Sequence, residues 1–254
     1  MEKMLETMMV GYRRAAVFMG LGCNAARRAD FVDYNLDHAT NFRLLPESVD
    51  AGTLNQWKEE FYQWTVSGGL REVVEYTSVF LDQVYEAISI MVDHKHDPKK
   101  LRRFHLGGLK DKVDRLASQY GISCRCPEAF ASVGPLRNCF IHRLGIVGQM
   151  DAGAAGALTL TWFGFKMTFC GNDGTEYPGP DITDPAALPW TAPCEGMLAA
   201  RFQLFEKKFA VGTKVILTPH TLNQVLWSMQ LMAQDYINAL TERARKEGIL
   251  KEKT

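Results

Sequence analysis

Apolar residues along this chain recur at two spacings, which divide it into a long helical part and a short β part. Leu5, Met8, Met9, Tyr12 and Ala16 fall roughly on one face at helical spacing and predict a first helix over 2–20. Gly20-Leu21-Gly22 is expected to interrupt it. Residues 23–50 mix polar and apolar positions, with Asn35, Asp37, Asn41 and Pro46 as breakers, and read as loops or a short helix. Thr53 is a suitable cap for a helix through Trp57, Phe61 and Trp64, and Gly68-Gly69 is expected to break it. From Leu70 to Val92, the positions Val73, Tyr76, Thr77, Phe80, Leu81, Val84, Tyr85 and Ile88 keep a broad apolar face. Glu72, Glu75, Asp82 and Glu86 fall mostly on the other side and read as a solvated face.

Leu109, Val113, Leu116 and Tyr120 predict the next helix, closed by Gly121. A loop over 122–134 is expected to lead into a short helix around residues 135–144. After a small-residue tract at 151–156, the spacing changes. Leu158 to Phe169 alternates in part and is rich in Thr and aromatics, which predicts a strand. Gly171-Asn172-Asp173-Gly174 reads as a turn, and the five prolines between 175 and 196 as a long loop. Ala200 to Ala210 reads as a second strand and Lys214 to Leu217 as a short third one. From Thr221 the helical period returns through Leu222, Val225, Met229, Met232, Tyr236 and Leu240. The expected architecture is mainly α: a helical bundle with a small β insertion at about 157–218, before the last helix. Residues 1–50 are expected to be an N-terminal helical extension to a domain over 51–254.

Candidate chemistry concentrates in Pro135-Leu136-Arg137-Asn138-Cys139-Phe140-Ile141-His142. Pro135 suits a first helical turn, and Gly145 suits the position just past the end. Leu136, Phe140 and Leu144 form an apolar stripe that pins the helix to a core. Asn138 and His142 are four apart and share another side, while Arg137 points about 140° away from His142. Imidazole is the side chain that titrates near neutrality, and guanidinium offers a planar fork of donors to phosphate oxygens. Asn138 carries no charge and suits an orienting role. Fifteen Arg and six His in 254 residues leave about 0.35 chance pairs at any one spacing, so spacing alone carries little.

Arg137-Asn138-Cys139-Phe140-Ile141-His142, followed by Gly145 and apolar Ile146-Val147, resembles the Arg-x(4–6)-His motif of HEPN-domain proteins. Many members carry Asn directly after the Arg. The order of long helix, basic connector, shorter helix, loop and Arg–His helix resembles the middle of such a domain. Gly212-Thr-Lys-Val-Ile-Leu-Thr218 resembles the approach to the last helix in some of these families. The resemblance covers about residues 70–245. It implies a helical bundle, a homodimer, and in many members a metal-independent ribonuclease with Arg137, Asn138 and His142 at its site. Such proteins often serve in toxin–antitoxin or antiviral defence, so an antitoxin or regulatory protein is a corresponding partner. The alternatives are a HEPN-like module that binds RNA, a nucleotide or a protein without cutting, and a purely structural Arg137 and His142.

Charge and composition narrow the partners. Formal net charge is zero, so RNA contact must rest on a local patch. The one dense basic run is 94–105. Lys99, Lys100, Arg102 and Arg103 there, with Arg143 beside the motif, are the candidate RNA-binding residues; a solvated connector is the plain alternative. Cys23, Cys124, Cys126, Cys139, Cys170 and Cys194 include no Cys-x-x-Cys, so reduced thiols are expected, and neither a metal nor a cofactor is. No run approaches the roughly 18 apolar residues of a membrane span, and the N-terminus lacks a signal-peptide pattern. A cytoplasmic protein with no membrane association is expected.

Overall fold

The computed structural model describes residues 2–30, 49–93, 97–153, 156–180 and 189–250. The readings made for 31–48, with Asn35, Asp37, Asn41 and Pro46, and for His94 and His96 lie outside these residues. The fold is mainly helical with a small antiparallel sheet, in the order α1 (Glu2–Arg27), α2 (Ala51–Asp93), α3 (Pro98–His105), α4 (Leu109–Tyr120), α5 (Pro127–Arg143), α6 (Gln149–Ala152), β1 (Ala157–Gly171), β2 (Glu176–Pro178), β3 (Gly196–Ala210) and α7 (Pro219–Lys246). Among the described residues no helix is long and apolar enough to cross a membrane.

Two expected helix breaks do not occur. α2 is one helix of 43 residues that runs through Gly68-Gly69, and α1 continues through Gly20-Gly22. Gly22 and Gly69, with Gly11, bring the two helices together instead. α1 lies antiparallel to α2, with Gly11 against the Tyr76 ring, Met19 against Gly69 and Gly22 against Thr65. A Cβ on Gly22 would lie 2.5 Å from Thr65 Cγ2. The Tyr12 hydroxyl and Thr77 Oγ1, 2.5 Å apart, and the Arg14–Glu72 ion pair join the same two helices. Met8, Tyr12, Ala15, Met19 and Cys23 belong to the same apolar core as α2, α5 and α7. The helical part of residues 1–50 is thus built into the bundle and is not an appendage.

Asp50, not Thr53, caps α2: its carboxylate accepts from the Gly52 and Thr53 amides at 2.8 and 3.0 Å. At the other end of α2, Phe104 anchors α3 by stacking on Tyr85 with centroids 3.9 Å apart. Lys112 of α4 has a fully buried side chain, compensated by Asp82 Oδ1 and Ser78 Oγ, each 2.6 Å away. Asp82 therefore serves the interior. Glu72 pairs with Arg14, while Glu75 stays exposed in a surface pair with Arg71, so only part of the expected solvated acidic face remains.

β1 and β3 pair over their whole lengths, Ala157 opposite Ala210 through Gly171 opposite Gly196, and β2 adds a short edge on the other side of β1. β3 begins at Gly196, within the stretch expected to be a loop. Where β2 does not reach, helices cap the open edge of β1. Ser132 Oγ of α5 accepts the Thr161 amide at 3.1 Å, and Ser228 Oγ of α7 accepts the Phe163 amide at 2.8 Å. The expected third strand at 214–217 reduces to one bridge, Ile146 with Lys214.

Two neighbouring glycines in α1 test the packing account. A Cβ on Gly20 meets nothing within 4 Å, so Gly20→Ala should raise stability by about 0.5–1 kcal/mol. Gly22→Ala should lower it by about 1–3 kcal/mol through the clash with Thr65. Denaturant unfolding of both variants reads the difference; equal shifts would refute the close approach.

Candidate functional site

α5 begins at Pro127 and carries the Arg–His segment in its last turns. The loop expected over 122–134 is thus helical from 127, and Pro135 lies inside the helix on its exposed side. Leu136, Cys139 and Phe140 are buried and fix α5 to the core. Asn138, Ile141 and His142 face outward.

Arg137 stands at the border between this open face and α2. Its side chain is 27% exposed, with Nη2 4.0 Å from Glu75 Oε1. Nη1 donates to Asn138 Oδ1 at 2.9 Å, and Nε is buried without a hydrogen-bond partner among the described residues. Asn138 therefore orients Arg137. The guanidinium is held by Asn138 on one side and lies 4.0 Å from Glu75 on the other, with the side chain partly open to solvent. His142 is exposed and makes no hydrogen bond or ion pair among the described residues. Cys139 is not a competing nucleophile: burial, reinforced by the nearby Asp151 charge, pushes its thiol up to about 11.

The end of α5 departs from the expected cap. Leu144, not Gly145, takes the first left-handed position, at φ 53°, and Gly145 follows at φ 80°. Leu144 is not part of the buried stripe; it is 80% exposed. Leucine in this conformation costs roughly 1–2 kcal/mol. The turn is held by the segment that precedes α7: Val215 N–H donates to Gly145 O at 2.8 Å, and Gly212 N–H to Val147 O at 2.8 Å. Gly145–Val147 and Gly212–Thr218, far apart in sequence, are thus neighbours. Between them and α2 lies a groove of about 450 Å3, lined by Trp64, Leu144, Ile146 and Lys214 among others. Trp64 is 73% exposed there. Sequence reasoning placed Trp64 on an apolar helix face and Lys214 in a strand, and missed both as neighbours of the Arg–His helix. No periodicity would have revealed them, because the pairing is tertiary.

Four of the other candidate cations lie on a different helix. Lys99, Lys100, Arg102 and Arg103 are exposed on α3, with no ion-pair partner among the described residues. Part of the basic run is therefore a helix, capped by Asp97, rather than a connector. α3 packs at Tyr85 of α2, whereas Arg137 meets Glu75, so about 15 Å of helix axis separates the two levels. Only an extended ligand could touch both. Arg143 is committed to Asp151 at 2.8 Å, a nearly buried carboxylate that also accepts the Gly148 amide at 2.8 Å. Its role is to brace the turn after α5. Cys124 and Cys126 are free and buried, and the described residues contain no group of three or more His, Cys, Asp or Glu placed to hold a metal ion. Between the two thiols, Arg125 forms a bidentate pair with Asp235 of α7 at 2.8 and 2.7 Å.

Arg143→Gln leaves the Asp151 carboxylate without its cation and should cost about 1–3 kcal/mol in an unfolding titration. Unchanged stability together with weakened RNA binding would return Arg143 to the ligand-contacting set. No family model matches the chain, and no curated protein or solved structure does.

Proposed function

We propose that this chain is a metal-independent endoribonuclease of the HEPN type, working as a homodimer and cutting RNA through its own 2′-hydroxyl. The observation that carries the reading is the arrangement on α5: exposed His142 and Asn138 share one open face, and the partly exposed Arg137 stands at its edge between Asn138 and Glu75. Neither side chain is buried and satisfied, as a purely structural use of the pair would require.

The chemistry needs little more. The His142 imidazole accepts the 2′-O–H proton as the 2′ oxygen attacks phosphorus. Arg137 donates to the non-bridging oxygens as charge builds on the phosphorane. The P–O5′ bond breaks, the 5′ oxygen takes up a proton, and a 2′,3′-cyclic phosphate remains. One chain offers a single His and Arg at offset angles; a second copy doubles both and supplies a further imidazole for the leaving oxygen. The exposed apolar residues beside His142, namely Ile141, Leu144, Ile146 and Trp64, suit such a contact. The strained, solvent-facing Leu144 is then a residue whose apolar side chain is used in the assembly. The exposed cations of α3 would hold a more distant stretch of the same RNA. By the same resemblance, the role is a toxin or antiviral effector restrained by an antitoxin or regulatory protein.

His142→Ala and Arg137→Ala should each abolish cleavage of a labelled single-stranded RNA in EDTA, with the His142 variant unfolding at the wild-type midpoint because that side chain is exposed. RNA binding without cleavage by the wild-type protein would instead support a binding module. Leu144→Asn keeps the turn, since Asn tolerates the left-handed region. It should shift sedimentation equilibrium toward monomer and reduce cleavage. An unchanged association state would rule this face out as the dimer contact.

A further inference from the structure

A cavity of about 510 Å3 lies between the middle of β1 and the first turns of α7, remote in sequence from the Arg–His segment. Its volume is in the range of small-molecule sites. Trp162 and Phe205 stack at 5.7 Å and 12° and form an aromatic wall. The Trp162 ring is fixed by its Nε1–H donating to Gln224 Oε1 at 2.8 Å. The polar side of the cavity is cationic. Lys166 lines it, and so does the start of the 28-residue α7, the positive end of that helix's dipole. Thr218 caps α7: its Oγ1 accepts the Thr221 amide at 3.1 Å and its carbonyl the Leu222 amide at 3.0 Å, and since Pro219 has no N–H, the His220 amide is the first-turn donor without a partner among the described residues. His220 lines the cavity as well, and its Nε2 is buried without a partner among the described residues. No carboxylate is among the described lining residues.

We infer that this cavity binds a planar aromatic ring bearing an anionic group, the chemistry of a nucleotide. The ring lies on the Trp162–Phe205 wall, and the anion faces Lys166 and the α7 N-terminus. None of Arg137, Asn138 or His142 lines the cavity, so the inference stands or falls apart from the nuclease reading. Two sources present this chemistry, a free nucleotide and an unpaired residue of RNA.

The test is a titration of the intact chain, followed by tryptophan fluorescence and calorimetry, with AMP, adenosine, inorganic phosphate and a short oligoadenylate. AMP should saturate, with adenosine and phosphate each at least about tenfold weaker, because each lacks one half of the recognition. Lys166→Glu and Phe205→Leu should each weaken AMP at least about tenfold. Lys166 is exposed, so its variant should unfold at the wild-type midpoint and separates lost binding from lost fold. Displacement of AMP by the oligoadenylate assigns the site to an RNA residue; failure to displace it assigns the site to a free nucleotide. Absence of AMP binding at millimolar concentration, equal binding of AMP, adenosine and phosphate, or wild-type affinity in Lys166→Glu would overturn the inference.

Discussion

The close approach of α1 to α2 is the constraint on which the remaining geometry depends. Gly11, Gly22 and Gly69 remove the side chains that would hold the two helices apart. The result is a continuous α2 of 43 residues, roughly 65 Å long, against which α1, α3, α4, α5 and α7 all pack. Position along α2 then sets what can act together. The Trp64 level carries the groove at the end of α5, the Glu75 level carries Arg137, and the Tyr85 level carries the basic face of α3.

The same spine explains why Glu72 and Asp82 of α2 are drawn out of a solvated stripe. Glu72 meets Arg14 from α1, Asp82 neutralises the buried Lys112 from α4, and Glu75 lies between Arg71 and Arg137. Glu75 is the one that bears on the proposed chemistry. A carboxylate 4.0 Å from the guanidinium holds Arg137 near the open face without a short, saturating hydrogen bond. A phosphate could compete for Arg137 there far more readily than for Arg143, whose carboxylate partner is nearly buried.

What the sequence made legible follows from what local periodicity encodes. The apolar faces of α4 and α7 were readable because burial repeats every turn, and the Leu158–Phe169 stretch because Thr and aromatics cluster there. The small sheet before the last helix was readable for the same reason. Gly20, Gly22, Gly68 and Gly69 misled because a glycine reads alike whether it breaks a helix, admits a neighbour, as Gly22 and Gly69 do, or stands open, as Gly20 and Gly68 do. Pro135 misled because proline is ordinarily excluded from helix interiors, yet here α5 begins two turns earlier at Pro127. Leu144 was read into a buried stripe by spacing, but the helix ends on it and turns it into solvent. At the candidate site, Arg137, Asn138 and His142 were singled out by residue type and order. Their surroundings, the Glu75 contact, Trp64, Lys214 and the commitment of Arg143 to Asp151, arise from tertiary pairing and left no local trace.

The central claim is that an exposed imidazole and a partly free guanidinium on α5 activate the 2′-hydroxyl of RNA. The most direct measurement compares matched oligonucleotides, one all-ribose and one 2′-deoxy throughout, incubated with the protein in EDTA and followed by end-group analysis of the products. The account predicts cleavage of the ribose strand alone, with 2′,3′-cyclic phosphate and 5′-hydroxyl ends. Cleavage of the deoxy strand, or ribose products that carry 5′-phosphate ends, would contradict it.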